Sequence, residues 1–275
     1  MKTIINFAPT GMVPTRKMTQ YAPLSLSEIV ENIDRAYQLG ITIVHLHIRD
    51  EKTLEPTLCA ATYGKLISKI REYAPDLIVC VSLSARNGEP IEKRLEPLYL
   101  EGKEKPDMGS LTLSSMNFAS GASINSPEDI QRIAQTMGEK NIFPEIEVFD
   151  LGMVHYAKYL IKKNILGKKN YFNIMLGNIA TAQPILLHAG MMVNDLPDNS
   201  YWSLGGIGAA SYNTHLLALA SGGGIRVGIE DNIWFDQKRS KLAENPALLE
   251  RVHRLLEMSD KELMSSKELR RELLG

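Results

Sequence analysis

The sequence predicts an α/β fold, a (β/α)8 TIM barrel built as a single domain over residues 1–275 with an extra C-terminal helical segment. Three observations point to it. Eight short apolar runs alternate with helix-length amphipathic stretches, and 275 residues suits the roughly 250 of such a barrel. No glycine-rich fingerprint follows the first run, which argues against the doubly wound open sheet that is the nearest alternative.

The runs are TIINFA (3–8), ITIVHLHI (41–48), LIVCVSL (77–83), MGSLTL (108–113), IFPEIEVF (142–149), YFNIML (171–176), YWSLGG (201–206) and GIRVGIE (224–230). Their length and β-branched content favour strands over buried helices. Helix signals stand between them. Ser25-Leu26-Ser27-Glu28 reads as a capping box, Ile29, Ile33, Ala36 and Tyr37 continue as a stripe, and Gly40 supplies the stop. Ser126-Pro127-Glu128-Asp129 opens a second helix ending near Gly138. The tail after Met258, with Lys261, Glu262, Glu268 and Arg271, reads as a charged helix on the outside.

A net charge of -1 offers no electrostatic hold on nucleic acid or an anionic membrane. Cys59 and Cys80 form no C-x-x-C pattern, and the first apolar run is too brief for a secretory core, so a reduced cytoplasmic setting is expected. No stretch approaches the length of a membrane span.

The second run carries the chemistry. In VHLHIRD, residues 44–50, strand alternation puts His45 and His47 on one face and Val44, Leu46 and Ile48 on the other. The apolar trio suits the helix-facing side, which turns both imidazoles into the barrel near the end where such enzymes keep their active sites. Two neutral imidazoles on one rigid strand are good ligands for a zinc-like cation. The bland alternative is a pair of hydrogen-bonded core histidines. A third ligand is available in GGGIRVGIEDN (222–232), where Glu230 and Asp231 emerge from the eighth strand, two places from the second around a closed barrel. Arg226, Gly228 and Glu230 are expected on one face, although Asp231-Asn232 also reads as the start of a helix.

Weaker candidates surround these. Glu145 and Glu147 share a strand face, and either one of the carboxylates faces the barrel interior or the two form an outward structural pair. Ser82 and Ser84, and Ser110 and Thr112, are paired at strand ends and could hydrogen-bond a polar substrate. GGIG (205–208) follows the seventh strand where barrels often bind phosphate. His155, His188, His215 and His253 fall in helical segments and read as surface or packing residues.

With VHLHIRD, KPDMGSLTLSSMNF, PEIEVFDLGM and GGIRVGIEDNI in this order, the chain resembles the β-keto acid cleavage enzyme family from Asn6 to about Asn245. The resemblance implies a TIM barrel, a homo-oligomer and in particular a homotetramer, one Zn2+ per subunit, and acetyl-CoA as co-substrate. Its reaction exchanges acyl groups: a β-keto acid and acetyl-CoA give acetoacetate and a new acyl-CoA. Position by position, His45, His47 and Glu230 match the metal ligands, Asp231 the catalytic base and Arg226 its orienting partner, with Glu147 and Ser82 in the same pocket. Val13, Thr15, Ser84, Ser110 and Thr112 are the expected substrate contacts.

Three departures bear on the substrate. Where members acting on an amino-bearing acid place a glutamate, in the loop after strand one, TGMVPTR (10–16) has Val13. An ammonium group would find no counter-charge there, so a neutral or apolar β-keto acid is expected. Ser82-Leu83-Ser84-Ala85 replaces a stretch that has two glycines in the family, and the segment after GGIG lacks a basic residue for CoA phosphates. Three other readings share part of the logic. A zinc hydrolase of the amidohydrolase type carries H-x-H on its first strand and needs histidines after strands five and six. A metal-dependent aldolase would cleave without CoA, and a non-catalytic metal-binding barrel would not need Arg226 beside Asp231.

Overall fold

A computed structural model describes residues 2–86 and 88–274. β1 (Ile5–Phe7) leads to α1 (Leu26–Leu39), and β2 (Ile43–Leu46) to a small antiparallel pair, β3 (Ile48–Arg49) with β4 (Pro56–Thr57), and then α2 (Ala60–Tyr73). β5 (Ile78–Val81) precedes α3 (Ile91–Leu95). β6 (Met108–Thr112) precedes a second antiparallel pair, β7 (Met116–Phe118) with β8 (Gly121–Ser123), and α4 (Pro127–Glu139). The rest alternates strictly: β9 (Phe143–Val148), α5 (Leu151–Lys162), β10 (Asn170–Leu176), α6 (Leu186–Asn194), β11 (Ser200–Gly206), α7 (Ala210–Ala220) and β12 (Gly224–Val227). Two more helices follow, α8 (Asn245–Met258) and α9 (Ser266–Leu273).

All eight predicted runs contribute a barrel strand, in the parallel order β1-β12-β11-β10-β9-β6-β5-β2 closing on β1. The expected fold class is therefore the observed one. Val44, Leu46 and Ile48 belong to the large apolar layer between barrel and helices, while Ile43 belongs to a smaller cluster inside the barrel. Alternation along β2 thus turns His45 inward, as its sequence context predicted.

The barrel interior changes character with height. Its lower part is apolar, with Ile43, Ile78, Cys80, Met108 and the ring of Tyr171. Above it the inward positions are polar: Asn6, His45, Glu145, Asn173, Ser203 and Arg226 are all buried. Asn6 donates to Glu145 and to the Tyr171 hydroxyl, and that hydroxyl donates on to Ser203 Oγ at 2.9 Å. Barrel cores ordinarily fill with branched aliphatics. Burying polar groups is costly even where they are paired, and the Asn173 amide has no partner among the described residues, so the layer marks a candidate functional end.

Two expectations need correction. The strand in 224–230 ends at Val227, so Glu230 rides on a turn and not on a continuous strand face, and no helix begins at Asp231. The charged tail does not lie on the outside. Met264, Leu269 and Leu273 join the inner apolar cluster and close the barrel floor, because Leu269 and Leu273 are spaced four apart and form one apolar stripe on a charged helix. Thr3 N–H donates to Glu262 O, Met264 N–H donates to Thr3 O, and Arg270 pairs with Asp107, which ties this segment to the strand starts.

The helix signals hold at both predicted starts. Ser25 accepts from Glu28 N–H while Glu28 accepts from Ser25 N–H, and Gly40 follows α1 at φ 103°. Ser126 caps α4, with Pro127 in its first turn. Burial alone would raise the Glu28 carboxyl, but the N–H groups of Ser25 and Leu24 and the Arg16 guanidinium outweigh it and hold the carboxyl at about 2. The folded value lies below the ordinary 4.5, so this stabilisation is complete at neutral pH and is lost as pH falls toward about 2. Because Glu28 is partly solvated, Glu28→Gln should cost only about 1 kcal/mol at pH 7. Thermal melts should show the gap from wild type narrowing below pH 4.5; a gap independent of pH would reject the ionic contribution.

Candidate active site

Three elements bring the site together at the carboxyl ends of the strands. β2 carries His45 and runs into His47, and β12 carries Arg226. The turn after β12 carries Glu230 and Asp231. That turn is forced by close approach: a Cβ on Gly228 would lie 1.9 Å from the Ala8 carbonyl oxygen. Ile229 N–H then donates to Asn245 Oδ1, Glu230 N–H to Ala8 O, and Asp231 N–H to Gly228 O, so the acidic pair is fixed through its backbone. Gly11, at φ 70°, lets the loop after β1 pass beside Glu230, where a Cβ would meet Glu230 Cγ at 2.5 Å.

His45, His47 and Glu230 present one ligand atom each within a space of 4.8 Å. His47 Nε2 lies 3.3 Å and His45 Nε2 3.8 Å from Glu230 Oε1. The Nδ1 of His45 faces Glu145 Oε2 at 2.5 Å, which leaves Nε2 as the nitrogen turned to the cluster. Glu230 Oε2 is buried with no hydrogen-bond partner among the described residues. Two imidazole nitrogens and a carboxylate with a spare buried oxygen fit a divalent cation of the zinc type. A second grouping, His45 with Cys80 and Glu145, uses the other face of the same ring. Burial pushes the Cys80 thiol well above its ordinary range and Glu145 adds to that, so it remains a protonated thiol and a poor ligand.

The charges around the cluster are interlocked. Arg226 Nε donates to Asp231 at 3.0 Å, Nη2 donates to Glu230 at 2.6 Å, and Nη1 stands 3.9 Å from Glu147. Burial opposes the charge on Arg226, but these acids outweigh it and hold the guanidinium protonated. Burial raises Asp231 to about 6; Arg226 pulls it down and Glu230 pushes it up again. Burial also lowers His47 below its usual value, as suits a neutral ligand. On His45 the same effect is overcome by Glu145, which lifts the imidazole to about 9, so a cation would displace a proton from this ring on binding.

A cavity of about 640 Å³ opens over these groups. Its wall includes His47, Ser82, Ser84, Thr112, Glu147, Arg226, Glu230 and Asp231, with Met12 and Val13 from the loop after β1. Thr112 Oγ1 donates to Glu147 at 2.6 Å. Ser84 Oγ accepts from Arg86 N–H. Two expected substrate contacts stand elsewhere: Ser110 Oγ is occupied by Leu83 N–H at 3.0 Å, and Thr15 is exposed, with neither in the cavity wall. Gly208 of GGIG lines the cavity, and Arg239 reaches toward it from the loop after β12, a basic residue distant in sequence. Of the other histidines, His215 is buried against Arg226 O, His188 accepts from Gln183 N–H, His253 contacts Gly40 O and His155 is exposed.

Both Glu145 and Glu147 point inward, and no local pattern signals that Glu145 braces His45. The role of Arg49 also emerges only in three dimensions. Its guanidinium donates to the carbonyls of Gly11, Pro14 and Leu54, pinning the loop that carries Met12 and Val13. Asp50 beside it accepts from Lys52 and Thr53 N–H and shapes the following turn.

The profile of the beta-keto acid cleavage enzyme matches residues 2–275. The chain belongs to the beta-keto acid cleavage enzyme family. A 3-keto-5-aminohexanoate cleavage enzyme from Fusobacterium nucleatum subsp. nucleatum is 32% identical over 272 residues, covering 98% of this chain and 96% of its own. A 3-oxoadipate:acetyl-CoA acetyltransferase from Cupriavidus necator is 32% identical over 259 residues, covering 92% and 88%. Among solved structures, apo ObcA superposes with a TM-score of 0.82 at 20% identity over 92% of this chain. This chain spans 65% of ObcA, and the likeness is one of fold. No helix among the described residues is long and apolar enough to cross a membrane.

If the cluster holds zinc, His45→Ala should lose most of its metal on dialysis. Glu145→Gln, which only loosens the ring's support, should weaken affinity about 10- to 100-fold. Competition with a chromophoric chelator measures both, and full zinc stoichiometry in His45→Ala would reject the ligand set.

Proposed function

We propose that this protein exchanges the acyl partner of CoA with a β-keto acid, giving acetoacetate from acetyl-CoA and releasing the remainder of the acid as a new acyl-CoA. The observation that carries the reading is Asp231, raised toward neutrality and held in two-point contact with Arg226, beside His45, His47 and Glu230 in one cavity. Membership of the family, and the two relatives named as acting on β-keto acids or acetyl-CoA, support it.

His45, His47 and Glu230 would hold the zinc ion, which when bound supplies Lewis-acid polarisation of a keto oxygen. Asp231, when ionised, takes the proton from the carbon between the keto and carboxyl groups. Arg226 keeps Asp231 in one orientation and favours its charged form. The substrate carbon then attacks the acetyl thioester carbonyl and a carbon-carbon bond forms. CoA leaves the acetyl carbon for the keto carbon, and the original bond between that carbon and its neighbour breaks, its electron pair staying on the neighbour, which takes back the proton from Asp231 to give acetoacetate. Ser82, Thr112 and Glu147 line the space in which the adduct must fit.

Self-association is a further part of the reading. Leu186, Leu187 and Met191 of α6, with Ile179 and Ile185 before it, expose a run of apolar side chains that supports a homo-oligomer, a tetramer by family resemblance. Free Cys59 and Cys80 support a reducing cytoplasmic setting.

Zinc-loaded protein incubated with a panel of β-keto acids should form acetoacetate only when acetyl-CoA is present. Carbon-carbon cleavage at equal rate without CoA would replace this reading with that of a simple aldolase. Asp231→Asn should retain zinc while losing about 10²- to 10⁴-fold in kcat; a near-normal rate would remove Asp231 from the base role. Because the base works ionised, kcat/KM should fall as pH drops through about 6, or through a lower value once a bound cation adds its charge. An activity that rises toward acid pH would contradict it.

A further inference from the structure

The loop after β5 brings a cation into the cavity that none of the proposed steps uses. Arg86 lies in the cavity wall with its guanidinium 3.3 Å from the centroid of the Phe118 ring. Phe118 is itself held edge-on by Phe149, with centroids 5.9 Å apart and planes at 87°, so the stack sets the plane of the guanidinium. Among the described residues its side chain makes no ion pair or hydrogen bond. The acids nearest to it are already engaged: Glu147 by Thr112, and Glu230 and Asp231 by Arg226. A half-buried guanidinium without its own counter-ion is costly, and an anion entering the cavity would offset that cost with two parallel hydrogen bonds.

We propose that Arg86 selects the end of the keto acid remote from the reacting carbons, and that the group it takes there is a second carboxylate. The proposal rests on the cleavage reading, since it assumes that the keto and first carboxyl groups sit at the His45–His47–Glu230 end. It departs from the expectation of a neutral or apolar acid, which stood on Val13 and Met12. Those side chains disfavour an ammonium by offering no charge, whereas Arg86 repels one outright and rewards the opposite sign. A phosphate of the CoA thioester is the other anion that could reach a guanidinium. Exposed Arg239, near Gly208 and three places round the barrel from β5, offers phosphates a solvent-side partner; Arg86 is set deeper, against Phe118.

The test compares 3-oxohexanedioate with 3-oxohexanoate, acids of equal length that differ in the far carboxylate, using zinc-loaded protein and acetyl-CoA. Wild type should prefer the diacid by kcat/KM. Arg86→Met, which keeps an apolar stem over Phe118, should reduce that preference by about 10- to 100-fold. Arg86→Lys should restore part of it. A wild-type preference for the monoacid, or an equal loss on both acids, would overturn the proposal. So would a loss that appears mainly as a raised KM for acetyl-CoA, because Arg86 would then serve the thioester. Turnover of neither acid would instead reject the cleavage reading. In that event calorimetry with glutarate and butyrate tests Arg86 directly: glutarate binding that disappears in Arg86→Met supports it, and equal binding of the two acids overturns it.

Discussion

The arrangement depends on one guanidinium. Glu145, Glu147, Glu230 and Asp231 all project toward the upper barrel, and four carboxylates so close would repel one another and resist burial without a cation among them. Arg226 lies at their centre, is almost wholly buried, bonds directly to two of them and stands within ion-pair distance of a third. Its own burial is tolerable only because of those acids. The two sides of the pairing therefore require each other, and β12 supplies the cation on a strand that neighbours β1 and β11 within the closed wall.

How far the sequence could be read follows from which contacts are local. Strand alternation places His45 and His47 together from two residues of spacing, and the capping box of Ser25 and Glu28 is complete within four residues. The order of strands follows from the alternation of elements, which leaves few topologies to choose among. What could not be read joins distant segments. Glu145 meets His45 across 100 positions, Arg49 meets the Gly11 carbonyl across 38, and Arg86 in the loop after β5 meets Phe118 at the end of β7. After Val227 the chain turns at Gly228, which passes so close to Ala8 that only a residue without a Cβ fits, an approach that no local pattern signals. The placement of α9 was missed for a similar reason: two leucines among charges look unimportant until the open floor they fill is in view.

A division of labour follows from where the groups are mounted. His45, Arg226, Glu145 and Glu147 stand on strands whose register is locked by neighbours on both sides, which gives the reacting end a fixed geometry. Met12, Val13, Arg86 and Phe118 stand on connections beyond the strand ends. Changes there alter what fits without disturbing the buried polar layer, so the same chemistry can serve relatives whose names specify different acids.

The floor formed by Met264, Leu269 and Leu273 bears on how the chain matures during synthesis. Growth from the N-terminal end delivers every wall strand before the plug exists, leaving Ile43, Ile78 and Met108 exposed to solvent from below. The ribosome must add residue 273 before that opening can be stoppered. A chain lacking those turns would present an unsealed apolar base to solvent, a surface prone to aggregation.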